Sequence, residues 1–324
     1  MKYIIFSLFY FLLLAKKSFA HVGYVIEKEK FDIAKGSDPN FLKQAMFNPG
    51  NIKLAIVIIL SFFLLYFLVH KIEVTHKIII KAKEKLLSYK DLTPWIARLS
   101  IGIALMGAST AGVLISPLMP NTFGLGWLEL ILGFFLLLGA FITPVVITSI
   151  ALFFVGLNSN FYLLGNLEFP ALLLALLILG NGRPGFDDIF GIKIFKIEKL
   201  KKFVPLIIRL GIGVAMFFLA IYEKLLNPHL SELVVQKYNL TNLIHVSPSM
   251  WVLGAGIVEL LIGVFLIIGF KTRLTSAIAF LVLILTFFGL QEEVFSHVTL
   301  FGTLSILMIT GGGFLSIDER KTTS

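Results

Sequence analysis

Two glutamates stand inside the most apolar stretches of this chain, each framed by glycines in the same register. Glu129 lies in GLGWLELILGFFLLLG (Gly124–Gly139) and Glu259 in GAGIVELLIGVFLIIG (Gly254–Gly269), and eight of the sixteen positions are identical. Gly126, Glu129 and Gly133 are spaced as Gly256, Glu259 and Gly263 are, so on a helix each trio shares one face. Glycines there let a neighbouring backbone approach closely, so each glutamate should face protein and not lipid. A carboxyl group near mid-membrane costs about 2.5–3.5 kcal/mol on the insertion scale. Retaining it twice leaves two readings, a protonated carboxyl bonded to a neighbouring helix or a group that is paired and used. A dinucleotide-binding loop is excluded, because GLGWLE and GAGIVE lack the third glycine and no strand precedes them.

Other ionisable groups cluster in the second half. The stretch AIYEKLLNP places Glu223 and Lys224 at the end of an apolar run, where the first half has the uncharged ASTAGVLISP. Gln291, Glu292, Glu293 and His297 follow near the mouth of the last hairpin, against Asn158, Asn160 and Asn166 in the first half. These read either as a solvated loop edge or as the lining of an outward-facing polar cavity. Arg98 and Arg209 open equivalent segments, IARLSIGIA and IIRLGIGVA. Each either snorkels to the inner headgroups or pairs with an anion, Asp188 and Asp318 being the partners within reach. The binding candidates are therefore Arg209, Glu223, Lys224, Glu259, Glu292 and His297, with Arg98 and Glu129 at the equivalent positions of the first half.

Metal and haem chemistry find little support. The chain has no cysteine, which removes iron–sulfur clusters, thiol exchange and Cys-ligated zinc. His70, His76, His229, His245 and His297 all fall in loops or at helix ends, whereas a membrane haem b needs two imidazoles deep within facing helices. His21 is a weak copper candidate, through its imidazole and a new amino terminus, if the leader is cut before it.

The elements that must hold these groups are membrane helices. Apolar residues make up 57% of the 324, charged residues 15%, and the mean hydropathy is +0.94, far from soluble composition. Runs of about 18 or more apolar residues read as transmembrane helices. They fall near Ile52–Val69, Trp95–Leu114, Phe123–Thr143, Val145–Tyr162, Glu168–Gly180, Phe203–Tyr222, Trp251–Phe270, Leu274–Leu290 and Val298–Gly311. Lysine and arginine concentrate in 70–94, 181–202 and 271–273, which the positive-inside rule places in the cytoplasm. The net charge of +9 is thereby a matter of topology, and nucleic acid is not an expected partner.

Residues 1–20 read as a secretory signal peptide, with an uncleaved anchor as the alternative, and 21–51 as an extracytoplasmic segment. A first span at 52–69 and a basic cytoplasmic linker at 70–94 lead to a first module at 95–190. A second basic linker at 191–203 precedes a second module at 204–318, and 319–324 form a cytoplasmic tail. The fold class is all-α integral membrane, with about nine transmembrane helices: one N-terminal span and two tandem four-helix bundles. Four spans separate equivalent points, so the copies are parallel, related by an axis along the membrane normal. The expected location is the cytoplasmic membrane, with the N-terminus outside after signal cleavage and the C-terminus inside.

The segments RLGIGVAMFFLAIYEKLLNP (Arg209–Pro228), GAGIVELLIGVFLIIGFKTR (Gly254–Arg273) and HVTLFGTLSILMITGGGFLSID (His297–Asp318) resemble the DoxX family of small four-helix membrane proteins. The first module resembles a degenerate copy that lacks the Glu-Lys pair and the histidine. The resemblance implies a membrane bundle whose relatives include subunits of quinone-linked oxidoreductase complexes that oxidise reduced sulfur. It leads us to expect an accessory subunit and not a stand-alone enzyme, with no firmly bound cofactor, quinone as the one it allows, and lipid and redox-complex subunits as partners. A carrier or channel for a small polar solute, or a structural assembly partner, is the alternative.

Overall fold

The computed structural model describes residues 26–320 apart from 27, 76, 122–123, 183–184, 193–196, 243–244 and 291–292. The expected signal peptide, His21 and Glu292 lie outside the described residues. Two short helices, α1 (Lys28–Ala34) and α2 (Pro39–Phe47), precede the long helix α3 (Pro49–Thr75). The amphipathic α4 (Lys77–Leu87) leads into α5 (Thr93–Thr110), α6 (Gly126–Leu138), α7 (Ile142–Ser159) and α8 (Glu168–Leu179). The second copy contains α9 (Val204–Leu219), a π-helical turn (Ala220–Leu226), the short α10 (Pro228–Lys237), α11 (Pro248–Ile268), α12 (Thr272–Leu290) and α13 (Val294–Thr310).

Six helical runs are long and apolar enough to cross a membrane, and Gly126–Leu138, Glu168–Leu179 and Val294–Thr310 are shorter apolar helices. All nine lie where the apolar runs are, and the protein is an all-α integral membrane protein. One departure is local. The apolar run expected to continue as helix to Leu114 stops at Thr110, and a two-stranded hairpin, Val113–Leu114 against Ser116–Pro120, follows. Gly112 takes the left-handed conformation at φ 69°, which ends the helix as glycine commonly does.

The same packing devices recur in both copies. Gly133 of α6 lies against Gly102 of α5, where an added Cβ would come within 2.7 Å of the Gly102 carbonyl oxygen. Gly263 of α11 lies against Gly213 of α9 in the same way, at 2.9 Å. Backbones this close are how small residues hold membrane helices together.

A second repeated device joins three chain segments. Gly139 and Gly269, at φ 69° and 68°, end α6 and α11. Their N–H groups, with those of Ala140 and Phe270, return to carbonyls of the last turn, a Schellman motif. The aspartate that follows the last helix of each copy then locks the corner. Asp318 accepts from the N–H groups of Lys271 and Thr272 at 2.7 and 2.8 Å. Asp187 does the same for Phe141 and Ile142, at 2.8 and 3.0 Å. The sequence register points to Asp188 as the counterpart of Asp318. The structure shifts this by one residue, because Gly180 and Gly311, which end the last helices, are 131 and not 130 apart, while each aspartate follows its glycine at the same distance.

The copies interlock. Gly302 of α13 packs against Ser100 of α5, while Gly211 of α9 packs against Ala171 of α8 and Leu167 at its start. The last helix of each copy thus crosses the first helix of the other. Glu168, the first residue of α8, accepts a bond from Thr299 in the second turn of α13 at 3.1 Å. Helix starts therefore meet helix starts, as in a parallel arrangement. Buried residues of both copies, among them Leu136, Leu172, Ile212 and Leu304, form one continuous core.

Outside this body, α3 leans on the second copy by one edge. Phe62 and Tyr66 are buried against Phe265, and the Tyr66 hydroxyl is 2.6 Å from Thr275 Oγ1. The rest of α3 exposes Ile56, Val57, Leu60, Phe63, Leu64, Phe67 and Leu68, a surface suited to lipid.

Candidate functional site

At the end of the bundle opposite the basic loops, α9 does not finish as a regular helix. Ala220–Leu226 forms a π turn, a feature frequent at functional sites. Its backbone bonds widen to i+5, and two of its carbonyls also take side-chain donors. Tyr222 O accepts from Asn227 N and Nδ2 at 3.0 and 2.9 Å, and Glu223 O from Ser231 Oγ at 3.1 Å.

The widened turn sends two consecutive charged side chains inward. Glu223 is 0% and Lys224 2% exposed, so neither lies at a solvated loop edge. Lys224 Nζ is 2.7 Å from Glu223 Oε2 and 2.9 Å from Glu259 Oε2. The second contact is an ion pair without the alignment of a hydrogen bond. Gly256, one turn before Glu259, makes room for the lysine stem, since a Cβ there would stand 3.0 Å from Lys224 Cβ. The remaining Glu223 oxygen, Oε1, accepts from the Tyr162 hydroxyl. Tyr162 belongs to the first copy, in the 3-10 turn between α7 and α8.

The group is covered. Phe31 packs edge-on against Tyr162, and Ile26, Leu230 and Val234 join the same apolar cluster. The N–H of Asp38 bonds the carbonyl of Leu226 at 3.0 Å, fastening the N-terminal segment to the end of the π turn. Above it, His229 lies 3.4 Å from Asp38 and 3.0 Å from Glu232.

The other candidates stand apart from this cluster. Arg209, 1% exposed, donates to the carbonyls of Gly312 and Phe314 at 3.1 Å, and to those of Leu266 and Ile267. It therefore neither snorkels nor meets Asp318 as its hydrogen-bond partner, but ties two helix C-termini together, where cations are favoured. Arg98 reaches Asn181 Oδ1 at 2.5 Å at the corresponding corner. His297 is 1% exposed, its Nδ1 2.9 Å from Ser296 Oγ and its ring against Phe287 and Phe301.

Glu129 has a different partner from its counterpart. Its Oε1 accepts the N–H of Ile115 at 2.8 Å. Ile115 is the hairpin residue held at φ 62°, a strained setting for a β-branched side chain.

Two polar members of the structure escaped the sequence reading. Tyr162 offered no signal, because its partner lies in the other copy. Glu168 did offer one, an acidic residue opening an apolar helix, and it is fully buried.

A polytopic helical bundle built from two interlocked copies, with a buried ion cluster at one end, defines the class. Residues 204–292 match the DoxX family model. The matched segment contains Arg209, Glu223, Lys224 and Glu259 and ends before α13. No curated protein and no solved structure matches the chain.

Proposed function

We propose that the protein is an accessory subunit, embedded in the cytoplasmic membrane, of a quinone-linked oxidoreductase system. The observation that carries this reading is the buried Tyr162–Glu223–Lys224–Glu259 cluster within and beside the DoxX-matching segment. A buried ionic group in a membrane bundle is a functional feature by default.

The cluster does not fit a quinone head group. Lys224 and Tyr162 both donate to Glu223, and Lys224 also lies in ion-pair distance of Glu259, under the cover of α1 and α10. No step is therefore assigned to a quinone at these residues, and the quinone belongs to the partner system.

The test is purification of the full chain in mild detergent, with analysis of co-purifying proteins and extracted lipid. Redox subunits with quinone-dependent activity are expected, and Glu259→Gln should weaken their retention. Solute flux catalysed by the isolated protein in liposomes would replace this reading with a carrier. A constitutive partner lacking quinone-linked activity would make the protein an assembly factor.

A further inference from the structure

On the side of the basic loops, the rim of the first copy carries an apolar ridge. The Asp187 N–H and the Asn181 Nδ2 both bond the carbonyl of Gly139, each at 3.0 Å. These bonds fix the single helical turn Phe186–Ile189 to the end of α6, where an apolar helix stops. The N–H of Ile192 then returns to the carbonyl of Asp187 at 2.9 Å. Ile189 is 76% and Phe190 64% exposed, and Phe186 and Ile192 are exposed beside them. The rings of Phe186 and Phe190 stack at 4.4 Å. At the equivalent corner of the second copy Asp318 is followed by Glu319, Arg320 and Lys321, where Asp187 is followed by Asp188, Ile189 and Phe190.

An apolar patch left open in this way marks a surface that something covers, and its place decides what. The ridge continues the exposed Leu138 and Phe141 at the α6–α7 corner, at the level where the helices leave the hydrocarbon. From the ridge the chain returns to the bundle at Ile197, whose N–H bonds the carbonyl of Ile178 at 3.4 Å, and enters the 3-10 turn Glu198–Phe203. Lys199 and Lys201 are exposed on that turn, while Lys202 lies 5.1 Å from the rings of Phe203 and Phe314. The sequence of 188–203 sets five lysines against Asp188 and Glu198. The carboxylate of Asp187 is engaged by the N–H groups of Phe141 and Ile142. Apolar side chains at headgroup depth beside a surplus of lysine are the chemistry that holds anionic lipid.

We propose that Phe186, Ile189, Phe190 and Ile192, with Lys199 and Lys201, form a docking surface for anionic phospholipid in the leaflet on the basic side. The ridge enters the boundary between acyl chains and headgroups, and the two ammonium groups meet phosphates. The surface belongs to the first copy, lies at the opposite end from the ion cluster, and stands whether or not a redox partner is found.

The test is a titration of the full-length protein in mild detergent with phosphatidylglycerol or phosphatidylcholine, bound lipid being counted by native mass spectrometry. Phosphatidylglycerol should bind the wild type more tightly. Lys199→Gln combined with Lys201→Gln should weaken phosphatidylglycerol about fivefold per lysine, roughly 25-fold together, and leave phosphatidylcholine unchanged. Ile189→Ser combined with Phe190→Ser should weaken both lipids alike, because it removes the insertion and not the charge. Lys81→Gln combined with Lys85→Gln takes two exposed lysines from the other basic segment and should leave the tightest phosphatidylglycerol unchanged. Equal affinity of the wild type for the two lipids would overturn the proposal. Equal loss in the two lysine pairs would overturn it as well, leaving only the summed charge of that side. If the serine variant does not elute as a monodisperse species, the comparison of the two lysine pairs decides.

Discussion

Glu129 and Glu259 sit at the same turn of equivalent helices, yet Glu129 accepts the backbone N–H of Ile115 while Glu259 lies 2.9 Å from the ammonium of Lys224. Taking Arg98 and Arg209 as equivalent, Ile115 stands opposite Leu226, and Val113 opposite Lys224. The hairpin of the first copy therefore replaces the π turn of the second, and a peptide group replaces the lysine. The glutamate is kept in both because both helix ends need an acceptor at that place.

The first prediction follows from this difference. Glu129→Gln keeps an amide oxygen for Ile115 and should change stability by less than about 1 kcal/mol, whereas Glu129→Ala strands a buried N–H and should cost about 1–3 kcal/mol. Glu259→Gln should fold and lose partner retention or complementing activity. Thermal unfolding in detergent, measured beside membrane abundance, separates the two effects. Equal functional loss in Glu129→Gln at normal abundance would show that the first copy uses its glutamate too.

Lys224→Met removes the ammonium that lies against both carboxyls, Glu223 and Glu259. Breaking a buried ion group in this way costs about 3–5 kcal/mol. Adding Glu223→Gln and Glu259→Gln to Lys224→Met should recover most of that loss, because no uncompensated charge remains. Unfolding midpoints of the single and triple variants test the claim; a triple variant no more stable than Lys224→Met would contradict it.

The paired glycines make a selective prediction. Gly133→Ala and Gly263→Ala push a methyl group against a neighbouring carbonyl oxygen at 2.7 and 2.9 Å, which backbone cannot yield cheaply, and should cost about 1–3 kcal/mol each. Gly254→Ala meets only the ends of Ile58 and Leu54, at 3.5 Å, and should be neutral. Unfolding temperatures of the three variants give the comparison.

The aspartate corners separate a register effect from composition. Asp187→Ala and Asp318→Ala each remove two acceptors from the start of a helix and should destabilise by about 0.5–2 kcal/mol, as the loss of a cap does. Asp188→Ala should have a smaller effect. Larger loss in Asp188→Ala than in Asp187→Ala would restore the aspartate chosen by spacing alone.

Orientation is open to a direct assay. Reporters fused after Lys85 or Lys199 should be cytoplasmic and one after Lys237 external, as the distribution of basic residues requires. An external reporter at Lys199 would reverse the bundle and move the buried cluster to the inner side.

The helical class and the nine apolar segments were legible because hydropathy reports burial in lipid directly. The glycine faces were legible for a related reason: Gly133 and Gly263 recur at helical spacing, and close approach needs no long-range information. The hairpin at 113–120 was not, since Val-Leu-Ile looks as apolar in a strand as in a helix. Glu223, Lys224 and Glu259 could be grouped within the second copy from its own sequence. Tyr162 could not, because only the crossing of the copies brings residue 162 to residue 223. The choice of Asp188 over Asp187 failed for a smaller reason, a one-residue difference between the stretches Gly139–Gly180 and Gly269–Gly311 that a fixed repeat hides.

The crossing of helices between the copies bears on what counts as an autonomous folding unit. A polypeptide trimmed to 204–292 would lack α13, and α9 would lose the α8 surface against which Gly211 packs. Its Glu223 would lose Tyr162 as well. Chain cleavage between the copies is a different matter, because α13 against α5 and α8 against α9 join the copies helix to helix, whatever becomes of the connecting segment. The halves of this protein are better regarded as two subunits of a dimer that share one peptide chain, and expressing them as separate polypeptides in the same membrane should reconstitute what neither half can form by itself.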